Sequence, residues 1–345
     1  MDSTKTKKEQ LPWELIEEVL SHVPPRSLVR FRTVCKRWNT LFNDKTFINN
    51  HTWTFRFILT TKSKIYSVSI NPKIVVRELT LDIPGIQPEI KHLVDCNEFL
   101  LCCMDKGASV WNPWLNLSRW IKADVSEPSS RFRIDGIGYD TDNHNNNNNN
   151  MIAWWGIHDF ASEEWKDLEV EPSQGDKEPF LLTKSGVSLN GNLFSDLLCY
   201  LPCGMNHPRD ALVLRVFRGD RFSLLKQCHV TKKIEIWVTK NMISVEDGND
   251  VVWMNFMTLS IPNFPGLVPN KYSYSQPSYF IQHKRLVMCS CDETGKPWIY
   301  VVEENKLISK VHMSSVVDPW PLHCTYFPSL VPVPGGRRKE AELHV

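Results

Sequence analysis

The sequence predicts a chain of two unlike segments, α+β in class: a small helical module at residues 9–50, then a large all-β domain at residues 55–333. Three observations predict it. Apolar residues recur at helical spacing between Leu11 and Phe47. After residue 50 no helix-length amphipathic segment occurs. In its place, short apolar runs are punctuated by Pro, Asn, Asp and Gly, the pattern of strands and turns. Flexible tails are expected at residues 1–8 and 334–345.

In the helical module, Pro12 suits a first helical turn, where its missing N–H costs nothing. Leu15, Ile16, Val19, Leu20 and Val23 then share one face, with Glu14, Glu17 and Glu18 on or near the other. Those acids sit where the helix dipole favours them. Pro24 and Pro25 stop the helix, a second apolar set follows in Leu28, Val29 and Phe31, and a third runs through Val34, Cys35, Trp38, Leu41 and Phe42. Three short helices in so few residues expose more apolar surface than they can bury among themselves. The segment has no paired cysteines or metal ligands, so a partner is expected to cover it, with packing on the chain's own larger domain as the alternative.

The length of 345 residues leaves enough chain for one large β-domain or two modest ones. A hydrophobic fraction of 42% and an aromatic fraction of 11% mark a folded chain. Strands are expected at Ile65–Ile70 and Ile74–Leu79, at Phe99–Met104, and at Ala108–Trp111 with a return through Trp120 and Ile121. Further pairs run from Ile157 to Phe160 and Trp165 to Val170, and from Leu212 to Phe217 and Phe222 to Leu225. Ile234 to Thr239 alternates, with Ile234, Ile236 and Val238 on one face and Trp237 on the other, and Val251 to Leu259 is its partner. Tyr279–Ile281, Leu286–Cys289, Trp298–Val302 and Leu307–Val311 complete the set.

Several hairpins repeat a strand, a polar turn and an aromatic opening the return: VWNPWLNLSRWI, IHDFASEEWKDL and LRVFRGDRFSLL. Their spacing is the size of a propeller blade, which predicts a degenerate, kelch-like propeller of six blades. A β-sandwich whose hairpins merely look alike is the alternative.

Residues for chemistry are sparse. No Gly-x-Ser-x-Gly and no phosphate loop occurs. Asp140, Asp142 and His144 border an asparagine run at 145–150, which reads as a flexible loop at 141–150 rather than a metal cluster. The ten cysteines include no CxxC and fit reduced core positions, Cys35 among them inside the third helix. No metal, cofactor or catalytic residue is expected, so the chain reads as a non-enzyme. A net charge of +1 gives no case for nucleic acid or an anionic membrane as partner. The polar start, MDSTKTKKEQ, is neither signal peptide nor anchor, and the expected location is intracellular, cytoplasm or nucleus.

The stretch LPWELIEEVLSHVPPRSLVRFRTVCKRWNTLFNDKTF resembles the F-box, a helical module that binds Skp-type linker proteins of SCF ubiquitin ligases. The resemblance rests on Leu11, Pro12, Leu15, Ile16, Leu20 and Val23, and continues through Pro24, Leu28, Val34, Cys35 and Trp38. It implies that these residues are the linker-binding set. CNEFLLC, VWNPWLNLSRWI, GIGYD, DFASEEWKDL, GVSLNGNLF, EIWVTKN and YFPSLVPV resemble, in order, the F-box-associated domain of plant F-box proteins, which is taken to recognise the substrate. Two departures stand out. The asparagine run replaces a core strand and turn, and the segment from Asn192 to Lys233 is shorter than its counterpart, so one or two strands are missing there. The resemblance implies a substrate adaptor, joined through its linker to a cullin and recruiting a protein target. The alternatives are an F-box protein that recruits nothing for degradation, a degraded paralogue, or a carbohydrate-binding propeller with tryptophans lining one concave site.

Overall fold

The computed structural model describes residues 11–96, 98–122, 202–203, 207, 209–218, 221–241, 251–268, 276–282 and 284–336, together with the backbone of six short strands between residues 137 and 194. The asparagine run and the tail at 1–8 lie outside the described residues.

Four helices open the chain, where three are expected: α1 Trp13–Ser21, α2 Pro25–Phe31, α3 Lys36–Asn43 and α4 Lys45–Asn50. Pro12 stands at the N-cap of α1 and Pro25 inside the first turn of α2, so the prolines begin helices where no N–H is needed. Asp44 separates α3 from α4. Its carboxylate accepts the Thr46 N–H at 2.6 Å, which supplies the second helix with a start signal. Cys35 is an exposed N-cap, not a core residue of the third helix, and its Sγ accepts the Trp38 N–H at 3.5 Å.

The β-region follows as β1 Phe57–Thr60, β2 Ile65–Ser69 and β3 Val75–Leu79, then β4 His92–Cys96, β5 Phe99–Met104, β6 Gly107–Asn112 and β7 Leu117–Lys122. The middle stretch holds β8 Ile137–Tyr139, β9 Met151–Ala153, β10 Ile157–Asp159, β11 Glu164–Lys166, β12 Val187–Leu189 and β13 Asn192–Phe194. Next come β14 Ala211–Phe217, β15 Arg221–Gln227, β16 Ile234–Thr239 and β17 Trp253–Leu259. The last are β18 Ser278–Gln282, β19 Arg285–Cys291, β20 Pro297–Glu303, β21 Lys306–His312 and β22 Leu322–Thr325.

Three antiparallel meanders, β4–β7, β14–β17 and β18–β21, form four-stranded sheets. The fourth such sheet takes strands from both ends of the region: β22 pairs with β1, Phe57 opposite Thr325 and Thr60 opposite Leu322, ahead of β2 and β3. This pairing closes a ring and removes the free edge an open array would leave. Around the axis β22 lies beside β4 and β18, while β12 lies beside β4 and β14. Hydrogen bonds tie these inner strands together, from Thr325 Oγ1 to Asp95 Oδ2 at 3.0 Å and from the Tyr279 hydroxyl to the Val213 carbonyl at 3.3 Å. The architecture is propeller-like rather than a sandwich. Four blades are complete among the described residues, fewer than the six expected, and the middle stretch contributes three two-stranded ladders.

The packing explains why many strands read as continuous apolar runs. A blade is covered on both faces, so β5 and β6 are buried along their whole length. Alternate residues serve opposite neighbours: in β1, Phe57 and Leu59 join Phe280, Val287 and Ile299 of the last blade, whereas Ile58 joins Leu100 and Trp111 of the second. Ile234, Ile236 and Val238 pack with Tyr279, Met288 and Tyr300, and Trp237 turns the other way, as the alternation predicts.

Candidate functional site

The apolar core that begins in the first two blades runs on into the helices. Leu20, Leu28, Phe42 and Phe47 share one cluster with Phe55, Ile58, Trp114, Leu115 and Tyr326, so the helical module is seated on the propeller. Phe31, Trp38, Phe42, Phe47, His51 and Trp114 continue the contact as successive ring pairs with centroids 5.1 to 6.2 Å apart.

Polar contacts fix the seat. Arg26 of α2 donates from Nε to the Leu115 carbonyl at 2.5 Å and from Nη2 to the Asn116 carbonyl at 3.0 Å, reaching the β6–β7 turn. Arg56 donates to Asn49 Oδ1 at 2.5 Å, and Trp114 Nε1 to the Trp53 carbonyl at 3.2 Å. Buried His51 lies between the two segments. Its Nε2 is 2.9 Å from the Val23 carbonyl, and its Nδ1 accepts the Trp53 N–H at 3.1 Å. These two bonds require the neutral ring protonated at Nε2, and burial pushes the His51 pKa down to about 4.

The seat uses only part of the predicted partner-binding set. Leu20 and Leu28, 3% and 0% exposed, are turned into the chain's own core and present no surface to a second protein. Ile16, Val23 and Trp38 are half-buried against the same cluster. Leu11, Pro12, Leu15, Pro24, Val34 and Cys35 are exposed. Val19 belongs with them at 58% exposed, beside Leu11 at 54%, Leu15 at 51% and Val34 at 61%. The four-residue spacing of Leu15 and Val19 places these two side chains along one line of α1, with Leu11 just ahead of the Pro12 N-cap, and that spacing is the sequence signal that adds Val19 to the set. On the other side of α1, where Trp13 packs against the core, the Arg37 guanidinium lies 3.6 Å from the Trp13 ring centroid, and the Trp13 indole N–H donates to Glu17. The module therefore presents exposed apolar side chains with the exposed Glu14 and Glu18 on the same helix.

No helix among the described residues is long and apolar enough to cross a membrane. Residues 9–50 match the F-box domain, and residues 56–195 and 195–333 match the F-box associated beta propeller domain in two consecutive pieces. The junction at residue 195 falls just after β13, inside the segment that reads as short in the sequence. A putative F-box/kelch-repeat protein of Arabidopsis thaliana is 58% identical over 98% of this chain and 90% of its own length. An F-box protein of the same plant is 55% identical over 97% of this chain and 98% of its own length, and another F-box/kelch-repeat protein is 56% identical over 97% and 96%. The helical module, the ring closed by the last strand and these relatives agree: the chain belongs to the family of F-box proteins with a C-terminal F-box-associated β-propeller.

Proposed function

We propose that the chain is a substrate-recognition adaptor of an SCF-type ubiquitin ligase. Its helical module docks on a Skp-type linker that joins it to a cullin, and its β-domain holds a protein target. The observation that carries this reading is the division of the helices: one apolar side is sealed on the propeller, and the other stays exposed with Leu11, Leu15, Val19 and Val34 each more than half accessible. Apolar residues set in a line on a protein surface mark a site that another protein covers.

The adaptor acts by proximity. Held on the propeller, a target lysine is confined near the conjugating enzyme, and its effective concentration rises without any catalytic residue in this chain. The carbohydrate alternative gains little support, since Trp53 is the one tryptophan among the strongly exposed large apolar side chains of the described residues. A pull-down with a Skp-type linker and cullin tests the reading. The wild-type chain should be retained and the Leu11→Ala/Pro12→Ala variant lost. Failure of the folded wild-type chain to be retained would refute it.

A further inference from the structure

A cleft of about 570 Å³ opens where the helical module meets the inner strands. Arg32, Phe42 and Lys45 line it from the module, and Asp95 of β4, Arg215 of β14 and Tyr279 of β18 from the propeller. Phe217, Phe280 and Phe327 add apolar surface. Arg32, Lys45, Arg215 and Arg218 outweigh Asp95 and Glu98, so the lining is net basic. Burial pushes the Glu98 carboxyl pKa up, against the charges of nearby Arg32 and Lys45, which favour the carboxylate.

The arginines are not consumed by the fold. Among the described residues the Arg215 guanidinium makes no hydrogen bond or ion pair, and its Nε is shut off from solvent. Arg32 donates from Nη2 to Asn43 Oδ1 at 2.9 Å, but its Nε is also buried without an acceptor. Buried guanidinium donors left unmet are costly unless something else supplies the acceptor.

We infer that this cleft takes an acidic peptide segment, whose carboxylate or phosphate group is received by Arg215 and Arg32 while an adjacent apolar side chain packs on Phe217, Phe280 and Phe327. The inference rests on the adaptor reading for the source of the peptide. A guanidinium fork matches either anion. The aromatic lining, and the two carboxylates set among the four cations, favour one or two negative charges on an amphipathic segment over the repeated phosphates of a nucleic acid. A segment bound here touches both halves of the chain, so the target is held at the junction next to the linker-binding module.

The test uses the full chain and fluorescein-labelled nonapeptide pools, degenerate except for a central Glu, phosphoserine, Ser or Lys, read by fluorescence polarisation. The Glu or the phosphoserine pool should bind at least tenfold more tightly than the Ser and Lys pools, and the stronger of the two identifies the anion. Arg215→Gln should remove most of that preference while leaving the melting temperature and linker capture unchanged. If Arg215→Gln does not fold, Lys45→Gln on the exposed rim should still weaken the preferred pool about threefold. Equal binding of all four pools, or full preference retained by the folded variants, overturns the inference. Preference retained by a chain that captures no linker would count against the adaptor reading and leave the cleft supported.

Discussion

Leu20, Leu28, Phe42 and Phe47 on one side of the helical module and Leu11, Leu15, Val19 and Val34 on the other are similar in chemistry, yet the first set is 0–8% exposed and the second 51–61%. Both arise from the same short run of helical periodicity. The difference is what each side faces. The first set continues the core of the β-domain through Phe55, Trp114 and Tyr326, and the second faces outward. A module too small to bury its own apolar surface thus has half of it covered from within the chain, which holds the helices in place, and leaves exposed the other half, which we propose meets a second protein.

The comparison is broken most strongly from its buried side. Phe42→Ala should cost about 3–5 kcal/mol of folding stability, because a fully buried ring is lost from a packed seam. Chemical denaturation checks this; a loss below about 1 kcal/mol would mean that the seam is loosely packed.

Next in size is Asn112, which binds three parts of the chain. Its Nδ2 donates to the Ser329 and Val331 carbonyls at 3.0 and 2.8 Å, and its Oδ1 accepts the Leu115 N–H at 3.0 Å and the Tyr326 hydroxyl at 2.9 Å. Asn112→Ala leaves those buried groups unmatched and should cost about 2–4 kcal/mol, since each orphaned polar group costs about 1–3 kcal/mol and neighbours relax in part. Thermal melting of the variant checks the loss.

Acid probes the seam without mutation. His51 at the seam and His323 on the closing strand both have pKa values pushed down by burial to about 4, from 6.5. The unfolded chain therefore takes up protons that the folded chain refuses, so their contribution is intact above pH 6.5 and is lost as the pH falls from 6.5 to 4. Up to about 3 kcal/mol per histidine should disappear over that interval. His51→Gln, which keeps a donor for Val23 and an acceptor for Trp53, should flatten part of the slope. A profile unchanged by the substitution would contradict the seam assignment.

The smallest stability effect belongs to the exposed side. Leu15→Ala and Val19→Ala should each stay within about 0.5 kcal/mol of wild type. A larger loss would show that this side packs within the chain after all.

The sequence makes some of this legible, and the reason lies in the range of each signal. β5 and β16 have the expected bounds because an apolar run or a strict alternation is a local property. β22 carries no such signal. LHCT is four residues long, and its reason for being a strand is a partner, β1, more than 250 positions earlier. β4 is equally silent, and so is α4, whose six residues bury Phe47 alone and carry no period; β1 has a short apolar run, Phe57 to Leu59, too brief to stand out. The proposed partner-binding residues are legible as a resemblance but not as two sides. Helical periodicity cannot assign a side: Ile16 and Leu20 share their spacing with Leu15 and Val19, and only the seated propeller decides which pair is covered. The cleft leaves no trace in the sequence, since Arg32, Asp95, Arg215 and Tyr279 come from four separate elements or turns.

Whether the outward side of the helices docks the linker is decided by calorimetric titration of a Skp-type linker into the wild-type chain and into Leu15→Asp/Val19→Asp. The wild type should bind tightly and the variant should lose about a hundredfold or more, as two buried anchors of about 1–4 kcal/mol each would give, with the melting temperature preserved. Equal affinity for a folded variant would contradict this assignment and move the docking surface elsewhere on the chain.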